Sequence, residues 1–326
     1  MKNRQLGRDG FAISEIGLGC WQFGGDFGDM EEETAFSIMA TAVENGVSFF
    51  DTADVYGTGR SEELIGRFLK QAPGSVVVAT KFGRGDDVYP GNYSEEILRR
   101  KIEGSLQRLG QDCLDLLQLH CIPIEVLRKG DIFDWLRRCK QEGLISHFGA
   151  SVETIEEGLL CLQQGELLSL QVIFNIFRQK IAAQLFPEAK AKGVGIIVRL
   201  PLSSGLLSGK FSKETTFAET DHRNYNRDGQ HFNVGETFGG LPFETGVELI
   251  ERLRALLPDD MSMAQAALRW ILDHEAVSVI IPGASSPEQV KGNAALSEIG
   301  PLPETLHQTL SEFYTNSVHD QIRGPY

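Results

Sequence analysis

Four residues of this 326-residue chain have types and positions suited to proton transfer: Asp51, Tyr56, Lys81 and His120. Asp51 ends the apolar run Val47-Ser48-Phe49-Phe50, and Tyr56 follows in the next loop. Lys81 closes "VVVATK" and His120 closes "LDLLQLH", and both runs have the aliphatic content of buried strands. Taken singly, each has a plain explanation: Asp51 as a turn or cap residue, Tyr56 as a loop aromatic, His120 as a core histidine with its hydrogen bonds met. Lys81 resists one, because an ammonium at the end of a buried run costs several kcal/mol unless a counter-charge meets it. Asp51 on the adjacent strand supplies that charge. A phenol ordinarily has a pKa of about 10, and a neighbouring ammonium favours the phenolate and lowers that value. Asp51 is therefore expected to orient Lys81, Lys81 to make Tyr56 a better acid, and His120 to position or polarise a bound carbonyl. Such a set protonates a carbonyl oxygen and needs a hydride donor beside it.

Convergence of these side chains requires that their strands be neighbours. Short runs rich in Val, Ile and Leu alternate with amphipathic segments of about 10 to 18 residues, the pattern of a parallel sheet covered by helices. The strand candidates are 16–19, 47–51, 76–81, 114–120, 145–151, 170–174, 195–200 and 277–281. Helices are expected over 31–45, 61–70, 94–109, 125–142, 153–163, 186–192, 243–256 with 263–274, and 287–296. Eight consecutive units predict a closed, parallel (β/α)8 TIM barrel, one domain over residues 1–326, with its chemistry at the C-terminal ends of the strands. The two short runs around Gly7-Arg8-Asp9-Gly10 predict an N-terminal hairpin capping the bottom. After the seventh strand, residues 211–241 are polar and Gly-rich, too long for an ordinary connection, and predict a mobile lid or functional loop.

Composition narrows the partners. With 41% hydrophobic and 23% charged residues the chain is an ordinary globular protein, and its net charge of −14 argues against nucleic acid or an anionic membrane surface. Five cysteines, odd in number and without a C-x-x-C, suit a reduced compartment, so the cytoplasm is the expected location. No signal-type apolar segment and no run of about 18 to 20 apolar residues is present. Nothing in the sequence specifies an oligomeric state.

The element "DTADVYGTGRSEELIG", followed in order by "TK" and "LQLH", resembles the aldo-keto reductases, NAD(P)H-dependent carbonyl reductases built on an eight-stranded barrel. The resemblance runs nearly the full length, through "GLGCWQFGG", "GAS", "LQVIFN", "LPLSSGLLSGKF" and "IPGASSPEQVKGN". It implies that Asp51, Tyr56, Lys81 and His120 are the catalytic tetrad, with Tyr56 the acid in reduction and the base in oxidation. It also implies a nicotinamide site: Ser151 and Gln171 holding the amide, Arg199 stacking on the ring, and Cys20, Trp21 and Pro201 beside it. Leu202, Ser204, Gly205, Leu207, Gly209 and Lys210 would hold the pyrophosphate, and Gly283, Ser285, Gln289 and Asn293 the adenosine end. The family favours NADP(H) over NAD(H), although serines at 285 and 286 and Gln289 stand where a cation would pair with the 2′-phosphate; Lys291 is a further candidate. Cys121 after His120 is expected to widen a substrate pocket walled by Trp21, Phe23, Val55, Phe82 and the long loop. Val152 replaces an amide-bearing residue that often follows the serine.

Other motifs do not carry through. "GLGCWQ" lacks the last glycine of a dinucleotide fingerprint, and "GLLSGKF" has neither P-loop spacing nor the hydroxyl after lysine. The seven histidines show no metal-ligand spacing, so no metal is expected. Two other functions compete: a non-catalytic nucleotide-binding subunit of the same fold, suggested by Arg199 and Cys121, and a Schiff-base lyase acting through Lys81, which a clamping Asp51 would keep protonated.

Overall fold

Strands that alternate their side chains turn one face to the barrel interior and the other to the helices. The computed structural model describes residues 1–72 and 76–326. It has a hairpin, β1 (Asn3–Gln5) with β2 (Ala12–Ser14), followed by eight parallel strands in chain order. These are β3 (Leu18–Gly19), β4 (Phe49–Asp51), β5 (Val77–Phe82), β6 (Leu114–His120), β7 (Ile145–Ser151), β8 (Leu167–Ile173), β9 (Gly195–Arg199) and β10 (Val277–Ile280). The sheet closes on itself through Gly17 N–H to the Ile280 carbonyl at 2.8 Å, Ile280 N–H to Glu15 at 3.0 Å and Gly19 N–H to Pro282 at 3.1 Å.

The helices are α1 (Glu32–Glu44), α2 (Arg60–Gln71), α3 (Glu95–Leu109), α4 (Ile124–Lys129), α5 (Asp131–Gln141), α6 (Ile155–Leu162), α7 (Ile181–Lys192), α8 (His222–Tyr225), α9 (Phe243–Arg254), α10 (Met263–Leu272), α11 (Pro287–Ala295) and α12 (Glu304–Phe313). Their starts are written in the sequence where a hydroxyl caps them. Ser94 accepts from Ile97 N–H, and Thr154 with Glu157 and Ser262 with Gln265 form capping boxes.

The inward faces stack in two layers. The lower layer is apolar: Phe49, Ala79, Leu116, Ile197 and Val279 pack with Leu6 and Ile13 of the hairpin, which plugs the bottom as expected. One pleat further along each strand the inward positions become Asp51, Lys81, Gln118 and His120, Ser151, Gln171 and Arg199. The larger core lies between sheet and helices.

Several expectations need correction. The helix expected over 125–142 is two, α4 and α5, because Gly130 takes a left-handed φ of 83° between them. β8 begins at Leu167 instead of Leu170, and α7 at Ile181 instead of Phe186, with Pro187 inside it. α12 was not anticipated. The long loop is ordered into α8 and two short turns, Val234–Glu236 and Phe238–Gly240. Among the described residues no helix is long and apolar enough to cross a membrane.

Candidate active site

Lys81 stands at the centre, 1% exposed, with each of its three ammonium hydrogens directed at an oxygen. Asp51 Oδ1 is at 2.6 Å, the Thr52 carbonyl at 2.7 Å and the Tyr56 hydroxyl at 3.1 Å. The other Asp51 oxygen accepts from Gln171 Nε2 at 2.6 Å and Gln118 Nε2 at 3.1 Å, so no lone charge is left in the barrel. Burial alone would pull the Lys81 pKa down, but Asp51 and Tyr56 outweigh it and raise it above the ordinary value, which keeps the amine charged.

Tyr56 departs from expectation. Burial raises its pKa, Lys81 lowers it, and Asp51 raises it again, leaving the phenol pushed up to about 12. The ammonium therefore restrains an upward shift and does not produce a net downward one. His120 is held well below its ordinary value by burial, with Arg84 and Lys81 adding to the effect, so it is neutral at physiological pH. Its ring meets Tyr56 edge-on at 5.8 Å, and its Nδ1 is buried without a partner.

Asp51, Tyr56, His120 and Gln171 line a cavity of about 740 Å3, with Lys81 and Gln118 behind them, and its wall also includes Cys20, Trp21, Val55 and Arg199. A second cavity of about 630 Å3 is lined by Leu202, Ser204, Gly205, Lys210, Ser285, Gln289 and Asn293. Gln22, Phe27, Leu200, Pro201 and Gly283 line both, so the two form one elongated groove with a neck. At that neck a Cβ on Gly283 would come within 1.7 Å of the Gln22 amide, so a side chain there would have to displace Gln22. The groove thus suits a long ligand whose reactive end meets Tyr56. A nicotinamide dinucleotide has that shape, and neutral hydroxyl and amide donors line its far end.

Some expected residues lie off the wall. Phe23 and Phe82 are buried in the core outside the barrel, Phe82 because alternation after inward-facing Lys81 turns it outward. Cys121 does not widen the cavity: it is 7% exposed, in a left-handed conformation, with its sulfur 3.4 Å from Arg199 Nη2. Ser151 donates to Gln171 Oε1 at 3.3 Å and is 2% exposed. In the "PLSSGLLSGK" turn, the N–H groups of Gly205 and Leu207 both reach the Leu202 carbonyl, and that of Gly209 reaches Leu206. The Ser204 hydroxyl donates to the Glu236 carbonyl at 3.0 Å. Lys210 carries no ion pair among the described residues.

Sequence reasoning missed the rim. Arg84 bridges Glu153 at 2.6 Å and Glu236 at 2.8 Å, and Glu236 also reaches Arg199 at 3.3 Å. Cys121, Glu153 and Glu236 have donor atoms within 4.8 Å of one another, a set of metal-ligand types whose carboxylates are taken by these guanidinium groups. Asp26 joins the loop after β3 to α8, accepting from Trp21 Nε1 and from the Tyr225 hydroxyl, both at 2.8 Å. Gln118 was legible, being two residues before His120 on the same strand. Glu236 gave no signal at all.

A (β/α)8 barrel whose strand ends gather a phenol, an ammonium and a neutral imidazole beside a long groove defines a class of barrel oxidoreductase. The sequence model of the aldo/keto reductase family matches residues 15–315, and the chain belongs to that family, whose members take a nicotinamide cofactor. It is 30% identical over 317 residues to the NADH-specific methylglyoxal reductase of Escherichia coli, covering 92% of this chain and 94% of that one. Among solved structures it resembles the holo form of aldo-keto reductase AKR11C1 from Bacillus halodurans, with a TM-score of 0.79 and 28% identity over 99% of this chain and 100% of the other. It also resembles the glycerol dehydrogenase AKR11B4 from Gluconobacter oxydans, with a TM-score of 0.80 and 26% identity over 100% and 98%.

Proposed function

We propose that this chain, working as one unit over residues 1–326, reduces small aldehydes and ketones to alcohols with NAD(P)H, and that Tyr56 is the general acid. The observation that carries the reading is the Lys81 ammonium lying between Asp51 and the Tyr56 hydroxyl, directly behind a cavity wall that both Asp51 and Tyr56 line. The bound nicotinamide would supply hydride to the carbonyl carbon. Neutral His120 polarises the carbonyl oxygen by a hydrogen bond and adds no positive charge. The oxygen becomes an alkoxide, a stronger base than phenolate, so Tyr56 gives up its proton downhill even from a pKa of about 12. Lys81 then holds the phenolate, and Asp51 holds Lys81. The same three contacts keep Lys81 protonated, which disfavours a Schiff base.

Gln171 and Arg199 are proposed at the nicotinamide, Pro201, Leu202, Gly205 and Lys210 along the pyrophosphate, and Ser285, Gln289 and Asn293 at the adenosine. Ser151, Ser204, Leu207 and Gly209 support these from behind. NADP(H) is the preferred cofactor on family grounds, with Lys210 as the pyrophosphate cation and Lys291 as the candidate for the 2′-phosphate. Because the adenosine end offers neutral donors, discrimination against NADH is expected to be small. The relatives named for methylglyoxal and glycerol support a small substrate. Five unpaired thiols support a reducing, cytoplasmic setting.

The test is oxidation of NADPH and NADH with a panel of small aldehydes. Turnover should fall about 10²- to 10⁴-fold in Tyr56→Phe, the range for one general acid. Undiminished turnover in that variant would remove Tyr56 from its role, and nucleotide binding without turnover on any carbonyl would favour a non-catalytic subunit.

A further inference from the structure

The long loop delivers one carboxylate into the barrel mouth. Glu236, its side chain 4% exposed, sets both oxygens on Arg84, at 2.8 and 3.1 Å, and its Oε1 lies 3.3 Å from Arg199 Nη1. Arg199 has no other carboxylate within ion-pair reach among the described residues, and its Nε is buried without a partner. Burial opposes ionisation of Glu236, but the two arginines outweigh it and hold its carboxyl well below the usual range. Arg199 lines the reaction cavity, and the two residues after it, Leu200 and Pro201, line the neck of the groove. A long side chain ending β9 at that neck has many rotamers, and a bound carboxylate selects among them.

The loop does not need this carboxylate to stay down. Ser204 ties it by donating to the Glu236 carbonyl and accepting from Phe238 N–H at 3.2 Å. Asp26 ties it through Tyr225 and through His222 N–H at 3.0 Å. Docking and the work of the Glu236 side chain are thus separable.

We infer that Glu236 is the positioning residue of Arg199: the docked loop, through this one carboxylate, fixes the guanidinium plane where the nicotinamide end of the cofactor lies. The inference rests on the proposed function, which puts that end at Arg199. Arg84, on the loop after β5, shares the carboxylate and lines the same cavity, whereas Arg199 directly precedes the neck residues Leu200 and Pro201 in the chain.

The experiment is a mutant cycle read by quenching of protein fluorescence on titration with NADPH and NADH. Glu236→Gln should weaken cofactor binding about tenfold, as loss of a charge-assisted contact does. The same substitution made in Arg199→Met should cost less than about twofold, while in Arg84→Met it should keep its full effect. An unchanged dissociation constant in Glu236→Gln, or an equal loss in the Arg199→Met background, overturns the inference. Failure of the wild-type protein to bind either nucleotide would instead overturn the functional reading. If Glu236→Gln does not fold, or Arg199→Met does not bind, NMR of 15N-labelled arginine side chains decides, using Glu236→Asp where needed. The Arg199 guanidinium should be rotationally ordered in the wild type and averaged in the variant; equal order in both sinks the proposal.

Discussion

The Lys81 ammonium and the Tyr56 hydroxyl lie 3.1 Å apart, the amine buried and the tyrosine half-buried, with Asp51 2.6 Å beyond the ammonium. Their proximity lowers the cost of a phenolate without making it the resting form, because burial and Asp51 act the other way and the phenol stays near 12. On the proposed reading, Tyr56 therefore donates a proton at neutrality and takes one back only at high pH.

A pH dependence follows. Reduction needs protonated Tyr56, which is fully present below a pKa of about 12, so this acid imposes no limb on reduction between pH 6 and 9. Alcohol oxidation needs the phenolate, whose fraction rises tenfold per pH unit below that pKa, so its rate should climb through the alkaline range with no plateau before the fold fails. Initial rates of oxidation at saturating cofactor check this. A plateau near pH 7 to 8 would mean a phenol far more acidic than its surroundings allow.

The pair that orients Lys81 also holds the barrel together. Lys81→Met leaves the Asp51 carboxyl buried among amides without its cation, and breaking a buried pair from one side costs about 3–5 kcal/mol. Asp51→Leu strands the ammonium at a similar cost. The double variant should lose clearly less than the sum, because it removes the stranded charge as well as the partner. Urea unfolding of the four proteins checks the cycle, and strict additivity would show that the two side chains are not coupled.

The strand order was legible from the alternation of strand and helix segments, and the inward face from the pleat along each strand. The ends of β6 and β7 fall where the sequence put them, and Asp51, Lys81 and His120 sit on the predicted rim. Alternation also turns Phe82 away from the cavity once Lys81 faces it, contrary to its expected place on the wall. The rim network was illegible for a different reason. Arg84 and Glu236 are 152 positions apart, and nothing local to the loop shows that its carboxylate ends between two arginines. The break at Gly130 was visible as a glycine, but only its left-handed φ makes it a helix end.

Tyr56 is also set by backbone. A Cβ on Gly24 would lie 2.6 Å from Gly57 N and 2.7 Å from the Tyr56 carbonyl carbon, and neither backbone atom can yield alone. Gly24→Ala should therefore displace the phenol while leaving the side chains of Asp51, Tyr56, Lys81 and His120 chemically unaltered. A misplacement of about 1 Å can cost around 10²-fold in rate. We expect that order of loss in kcat with cofactor binding within about threefold of wild type, and unchanged kcat would show that the segment relaxes without moving Tyr56.

Loop docking should fade in acid through His222. This histidine is fully buried against Trp21, with ring centroids 4.7 Å apart, and burial pushes its pKa down to about 4 from 6.5, against the opposing pull of the Asp26 carbonyl and Asp221. The free or unfolded loop takes up a proton as pH falls through 6.5, whereas the docked loop does not until about 4, so docking is complete above the first value and weakens between the two. The shift corresponds to a limit of about 3 kcal/mol. Glu153, which accepts from Asn233 of the same loop at 3.0 Å, opposes this: burial and Glu236 raise it to about 7, so its contribution favours the docked state as pH falls. Removing the imidazole isolates its share. Because the two shifts are similar in size and opposite in sign, the readout is the difference between the Trp21 fluorescence titrations of the wild type and His222→Phe from pH 6.5 to 4, with the variant keeping the Glu153 drift alone; matching titrations in the two proteins would clear His222 of the role.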